Sequence, residues 1–292
     1  MFCHVSPEQV IGVHDVSSVY HVPLLLQSQG IVDFLRKRSN LASVQLSKEM
    51  TNRGESLECR CRELTRRQER VLDDVTVVLV GKYTDLQDSY MSVTKSLETF
   101  RLPVLSTPDP EDSSDLEPES QGTNPAKYYD AWRAVVSAGG ILVPGGFGVR
   151  GTEGMMLAIK WAREQKVPFL GICFGFQLAV VEWARHVCEF EGATSIEFDL
   201  ETKHPIIIFM PEISKTHMGG TMRLRLRPTV FEPETEKWSK VRKLYGGASK
   251  IWERHRHRYE VNPAYIERLT ASGLAFVGRD EKGERMQVLE LA

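Results

Sequence analysis

Cys173 stands in the run Gly171-Ile172-Cys173-Phe174-Gly175, at the point where an apolar stretch gives way to a helix-forming one. Glycines two residues away on either side match the nucleophile-elbow spacing, with Cys in the place more often held by Ser. The spacing has a steric reason. A tight strand-to-helix turn holds the nucleophile in a strained backbone conformation, and larger neighbours would collide with strand and helix. A helix beginning at Phe174 aims its N-terminal dipole at the sulfur and favours the thiolate, which is a competent acyl acceptor. For a lone cysteine a buried structural thiol is the default. The elbow, with a strand before it and a helix after it, favours the nucleophile.

A second candidate element is Pro144-Gly145-Gly146-Phe147-Gly148. It follows a predicted strand, at the sheet edge where ligands of open α/β sheets gather. Side-chain-free Gly-Gly can turn N–H groups toward a developing oxyanion, with the Phe174 amide as the other donor. No Gly-Lys-Ser/Thr follows, so this is not a phosphate-binding P-loop. Arg254-His255-Arg256-His257-Arg258 reads by itself as a basic strand with alternating faces, whose default use is surface ion pairing or, weakly, a nucleic-acid patch. Cys59-Arg60-Cys61 has no second Cys or His pair nearby and lies in a charge-rich stretch; a solvated helix is the simpler reading, and no metal site is expected.

The elements that must hold these groups follow from periodicity. Val75-Thr76-Val77-Val78-Leu79-Val80 is a β-branched apolar run ending in Gly81, as a fully buried parallel strand requires. Strands at 140–144 and 168–172 alternate with helices at 88–100, 127–138, 153–165 and 174–188, and 108–122 reads as an acidic loop with six carboxylates. Further strands are expected at 205–210, 221–226, 274–277 and 286–291, with a helix at 263–272. This rhythm predicts an α/β fold, a parallel sheet flanked by helices. Before it, residues 8–13 read as a short helix running into a strand and 22–38 as one helix. Residues 50–70, with six Arg and four Glu, read as a linker or solvated helix.

Composition bounds the function class. The 292 residues carry 37 Lys and Arg against 39 Asp and Glu, a net charge of −2, so no global basic field points to nucleic acid or an anionic membrane. No apolar run reaches the ~20 residues that span a bilayer. The N-terminus lacks the pattern of a secretory signal. The five cysteines are scattered and odd in number, which suits a reducing cytosol. A cytoplasmic location is expected.

Pro144-Gly145-Gly146-Phe147-Gly148-Val149-Arg150-Gly151 followed by Gly171-Ile172-Cys173-Phe174-Gly175-Phe176-Gln177 resembles the class I glutamine amidotransferases. The finer resemblance is to the CTP synthase family. It is carried by Ser195-Ile196-Glu197-Phe198, Met218-Gly219-Gly220-Thr221-Met222-Arg223-Leu224 and the stretch from Glu253 through Arg258-Tyr259-Glu260-Val261-Asn262. The run Met1-Phe2-Cys3-His4-Val5 through His14-Asp15-Val16-Ser17-Ser18 is similar to the end of that family's synthetase domain.

The resemblance implies a class I glutamine amidotransferase-like fold, with a mixed, mostly parallel sheet and a cysteine elbow. It implies a synthetase remnant over 1–40, a linker over 41–74 and an amidotransferase domain over 75–292. It further implies that Cys173 attacks glutamine, that Gly146 and Phe174 supply the oxyanion hole, and that Phe174, Gly175, Phe176, Gln177, Glu197 and Arg258 line the glutamine pocket. A free amino acid needs a carboxylate for its ammonium and a guanidinium for its carboxylate, which agrees with Glu197 and Arg258. His14, Asp15 and Val16 match a segment near ATP. The implied partners are glutamine, UTP, ATP with Mg2+, and GTP as activator, in a homo-oligomer that is a tetramer in the family. Ammonia would convert UTP to CTP.

Phe174 and Phe176 depart from the Leu and Met common in the family. The implied general base, in a His-Pro-Glu motif, would follow Ala292, and full activity of this chain alone is not expected. None of His4, His14, His21, His186, His204, His217, His255 and His257 fits the role of that base. Two rivals are another elbow-type cysteine hydrolase, such as a gamma-glutamyl hydrolase, and a non-catalytic module that joins synthase assemblies. Intracellular cysteine proteases of this type have His directly after the nucleophile, where Phe174 stands here.

Overall fold

Two compact units divide the chain after Asp74. The computed structural model describes residues 5–16, 19–41, 44–70, 75–99, 111–210 and 223–291. Parts of several expectations therefore lie outside the described residues: the first residues of the 1–18 motif with Ser17 and Ser18, parts of the 41–74 linker, the end of the 88–100 helix, the start of the 108–122 stretch, the run around Met218-Gly219-Gly220 with His217, and the start of the 221–226 strand.

In the first unit, 3-10 turns at Pro7–Gln9 and Val19–His21 precede α1 (Val22–Ser28) and α2 (Ile31–Arg38). The single helix expected over 22–38 is broken at Gly30, whose φ of 77° is left-handed and open to glycine at little cost. The strand expected near 10–13 does not form; Gly12 is instead tied on both its N–H and C=O to the Gln29 side-chain amide at 2.8 Å. The charge-rich stretch forms α3 (Lys48–Arg70). There Glu58 accepts from Gln27 at 2.9 Å and from Arg62 four residues on, and the two bonds hold its carboxyl below the usual range. His14 and Asp15 are exposed and Val16 half-buried on an irregular segment.

The second unit is built on a parallel sheet. Its strands are β1 (Val77–Gly81), β2 (Glu111–Asp112), β3 (Gly140–Val143) and β4 (Phe169–Gly171), in the order β2-β1-β3-β4 among the described residues. Every pairing is parallel, with Val78 opposite Ile141, Leu142 opposite Leu170 and Val143 opposite Gly171. β1 and β3 are buried along their whole length, as continuous apolar runs between two helical layers must be. The connecting helices are α4 (Met91–Thr99), α5 (Pro118–Thr123), α6 (Pro125–Ser137), α7 (Thr152–Gln165) and α8 (Phe174–His186). Within the acidic stretch, Asp112 caps a 3-10 turn at Ser113–Leu116 by accepting from Ser114 N at 2.9 Å, and Leu116 is fully buried. The expected loop is therefore ordered from Glu111 on, because one apolar residue enters the core and one carboxylate satisfies a turn.

The later strands pair in two further sheets. β5 (Thr194–Ser195), β6 (Pro205–Phe209) and β9 (Tyr259–Val261) form a mixed three-stranded one. β7 (Arg223–Phe231), β8 (Lys250–His257), β10 (Leu274–Arg279) and β11 (Met286–Leu291) form an antiparallel one in the order β11-β10-β7-β8. Short α9 (Lys240–Leu244) joins β7 to β8, and α10 (Pro263–Ala271) leads into β10. One core of Val80, Val143, Met155, Leu178, Val180, Ile206 and Leu274 ties the parallel sheet to α7, α8 and the later strands. No helix of the described residues is long and apolar enough to cross a membrane.

Candidate active site

The C-terminal ends of three adjacent parallel strands, at Gly81, Val143 and Gly171, release the chain into Lys82, the Pro144–Gly148 loop and Cys173. Cys173 has φ 55° and ψ −98°, a conformation L residues avoid, and directly precedes α8. Such a backbone costs about 1–3 kcal/mol and persists only where its surroundings enforce it. They do so here. A Cβ on Gly175 would lie 2.1 Å from Val143 O, and one on Gly171 2.7 Å from the Gly175 backbone. Val143 O itself accepts from Ile172 N at 2.9 Å.

The Cys173 thiol donates to the Arg256 carbonyl, with Sγ 3.8 Å away. Cys173 is exposed as a residue, yet the protein around its sulfur is dense enough that burial pushes the thiol pKa up. The Phe174 amide pulls it down, Glu197 adds a smaller upward push, and the net shift is upward. The Phe174 amide therefore does not by itself offset the burial of the sulfur. Desolvation outweighs it.

Gly145 lies beside Cys173: its added Cβ would sit 3.6 Å from Cys173 Cβ. Gly146 lies between the Phe174 ring and Lys82, with corresponding distances of 3.6 and 3.7 Å. Gly148, at φ 76°, donates its N–H to Glu197 Oε1 at 2.9 Å. Glu197 raises the pKa of both the Cys173 thiol and the Tyr259 phenol, for which burial is the larger cause, and Arg258 opposes it at Tyr259. Cys173, Glu197, Arg258 and Tyr259 thus share one electrostatic neighbourhood. Arg258 is half-buried, its carbonyl accepts from Met210 N at 2.9 Å, and its Nε is buried with no hydrogen-bond partner among the described residues. A buried guanidinium nitrogen without a matched acceptor is suited to an anionic ligand.

The other expected site residues are less directly presented. Phe174 is 1% exposed, its ring edge-on to Phe198 at 5.8 Å, so its side chain is taken up by packing. Gly175 is pressed into β3 and Phe176 packs on the core. Gln177 is buried and donates Nε2 to Tyr259 O at 3.1 Å, supporting the segment that carries Arg258. His257 Nδ1 lies 3.1 Å from the same carbonyl and His255 Nδ1 3.4 Å from His257 Nε2. Among the described residues no histidine hydrogen-bonds the Cys173 thiol. His14, Asp15 and Val16 belong to the other unit. No group of three or more His, Cys, Asp or Glu able to hold a metal occurs among the described residues.

Two neighbours escaped the sequence reading, Tyr259 and Lys82. Lys82 follows a buried parallel strand at the edge where ligands gather, and that position was the available signal.

Residues 110–292 match the family model described as glutamine amidotransferase class-I. The chain is 52% identical over its whole length to the CTP synthase of Eremothecium gossypii, 51% identical over 99% of its length to that of Schizosaccharomyces pombe, and 51% identical over its whole length to CTP synthase 1-B of Xenopus laevis. It covers 51%, 48% and 48% of those proteins, and so spans about half the length of the curated relatives it matches. A solved structure, the glutaminase domain of Trypanosoma brucei CTPS with bound acivicin, aligns with a TM-score of 0.63 at 34% identity, over 74% of this chain and 81% of that one.

Proposed function

The chain belongs to the class I glutamine amidotransferase family, and from that premise we propose that Cys173 is the nucleophile that releases ammonia from glutamine. The thiolate adds to the side-chain amide carbon. The oxyanion so formed is met by the Gly146 and Phe174 amides. Collapse breaks the C–N bond, the amide nitrogen takes up the proton that the thiol released and leaves as ammonia, and a glutamyl thioester remains on Cys173 for water to hydrolyse. Arg258 takes the substrate carboxylate and Glu197 its ammonium, while Phe174, Gly175, Phe176 and Gln177 form or support the pocket wall.

The observation that carries this reading is the elbow: a non-glycine residue at φ 55° directly before α8, between the tightly packed Gly171 and Gly175. The unmatched Arg258 Nε supports the substrate assignment. In the whole protein the ammonia aminates UTP to CTP at the expense of ATP, with Mg2+ on the nucleotides and GTP as activator, in a cytoplasmic homotetramer. That extension is supported by the relatives named CTP synthase at 51–52% identity. On the same reading residues 1–40 end a synthetase domain, 41–74 link it to the amidotransferase domain over 75–292, and His14, Asp15 and Val16 lie toward ATP.

The glutamyl thioester on Cys173 is the intermediate that this route must pass through, and it can be trapped. Incubation with glutamine, acid quenching and mass spectrometry are expected to find one glutamyl group on Cys173. Glutamine binding with no such adduct would contradict the assignment.

A further inference from the structure

We propose that Lys82 is a positioning residue for this reaction, a buried cation that fixes the glycine loop and the first residue of α8 in the arrangement the oxyanion needs. The proposal rests on the glutaminase reading of Cys173 and adds a residue to it.

Lys82 is 2% exposed. Its backbone N–H donates to Tyr90 Oη at 3.0 Å, which anchors it at the end of β1. Its Nζ donates to the carbonyls of Phe147, at 3.1 Å, and Gly148, and lies 4.3 Å from the centre of the Phe174 ring. One side chain therefore touches both halves of the proposed oxyanion site: the loop that carries Gly146 and the residue whose amide is the other donor. Gly146 lies between the Lys82 stem and the Phe174 ring, where a Cβ added to it would meet them at 3.7 and 3.6 Å.

The charge has a specific target. The peptide joining Phe147 to Gly148 gives its C=O to Lys82 and its N–H to Glu197. A cation at one end and an anion at the other align with the peptide dipole and resist its rotation, more strongly in a site screened from water. Arg150 closes the arrangement from the far side. It donates to the Lys82 carbonyl and to both oxygens of Asp112, at 3.0 and 2.8 Å.

The clamp is also titratable. Burial pushes the Lys82 ammonium down to about 8; Glu197, Glu117 and Asp112 oppose that shift, and Arg150 adds to it. Loss of the proton leaves one end of the aligned peptide unheld. The effects on function and stability carry opposite signs. A lysine depressed in the folded state makes the fold more stable as pH rises from about 8 toward 10.5, while the positioning it provides is lost over the same rise.

The test uses the whole chain and two alkylating reagents, the glutamine analogue acivicin and the unselective iodoacetamide. Substitution Lys82→Met is expected to slow Cys173 labelling by acivicin about 10- to 100-fold, the cost of a small misplacement of reacting groups. Iodoacetamide labelling and the melting temperature are expected to stay unchanged. In the parent, acivicin labelling is expected to climb with pH and level off near 8, where Lys82 discharges. Iodoacetamide labelling is expected to climb past that point as the thiol ionises. Lys82→Arg, which keeps its charge, is expected to restore the acivicin rate and remove the levelling. Unchanged acivicin labelling in Lys82→Met, an equal loss for both reagents, or levelling at the same pH in Lys82→Arg overturns the proposal and leaves the nucleophile assignment standing. Failure of acivicin to label the parent at all sinks both.

Discussion

The elbow at Gly171–Gly175 and the glycine loop at Pro144–Gly148 flank the same sulfur and are held by different physics. The elbow is held by contact. Gly175 meets the β3 backbone so closely that an added methyl group would overlap Val143 O, and Cys173 is forced to φ 55° as a result. The loop is held by charge, with Lys82 on two of its carbonyls and Glu197 on the Gly148 N–H. A steric support is the same at every pH and every stage of the reaction. An electrostatic one responds to the charges that come and go beside it, including the oxyanion of the proposed reaction.

The largest expected effect attacks the steric side. Gly175→Ala puts a methyl 2.1 Å from Val143 O between backbones that cannot yield, and should destabilise the second unit by about 3 kcal/mol or more, read from chemical denaturation. Next, Arg258→Ala removes the guanidinium with the unmatched Nε and should weaken glutamine by about 10- to 100-fold, the scale of a charged hydrogen-bonded contact. The melting temperature should hardly move, since no described bond of that Nε is lost; calorimetry separates the two. A stability loss matching the affinity loss would return Arg258 to a structural role.

Two smaller effects sharpen the contrast. Cys173→Gly should raise stability by about 1 kcal/mol, because glycine occupies φ 55° without strain, while ending all labelling at that position. Gly146→Ala meets Phe174 and Lys82 only at 3.6 and 3.7 Å, so its stability should stay within about 1 kcal/mol of the parent. The same Gly-to-Ala change thus separates a position fixed by contact from one merely crowded.

That contrast also explains what could be read beforehand. The parallel strands and their helices were legible because Val75 to Val80 and residues 140–144 are continuous apolar runs bounded by Gly or Pro. The elbow was legible because a steric demand of this kind selects glycine at fixed spacing. The break at Gly30 was missed because the helical pattern of apolar residues continues across it. Order in the acidic stretch was missed because it depends on Leu116 reaching a core assembled from distant segments. Lys82 was missed for the same reason. Its partners lie 65 and 66 residues away, and no local pattern marks a lysine for burial. The upward shift of the Cys173 thiol belongs with these, since the helix terminus is visible in sequence and the desolvation opposing it is not.

The most direct test of the central claim is site-resolved mass spectrometry after acivicin treatment, with and without excess glutamine. Cys173 should carry the label and glutamine should protect it. Cys188, half-buried with its sulfur 3.1 Å from Ser272 Oγ, should stay unmodified in both samples. Equal labelling of Cys173 and Cys188, or labelling of Cys173 that glutamine does not slow, would contradict the account.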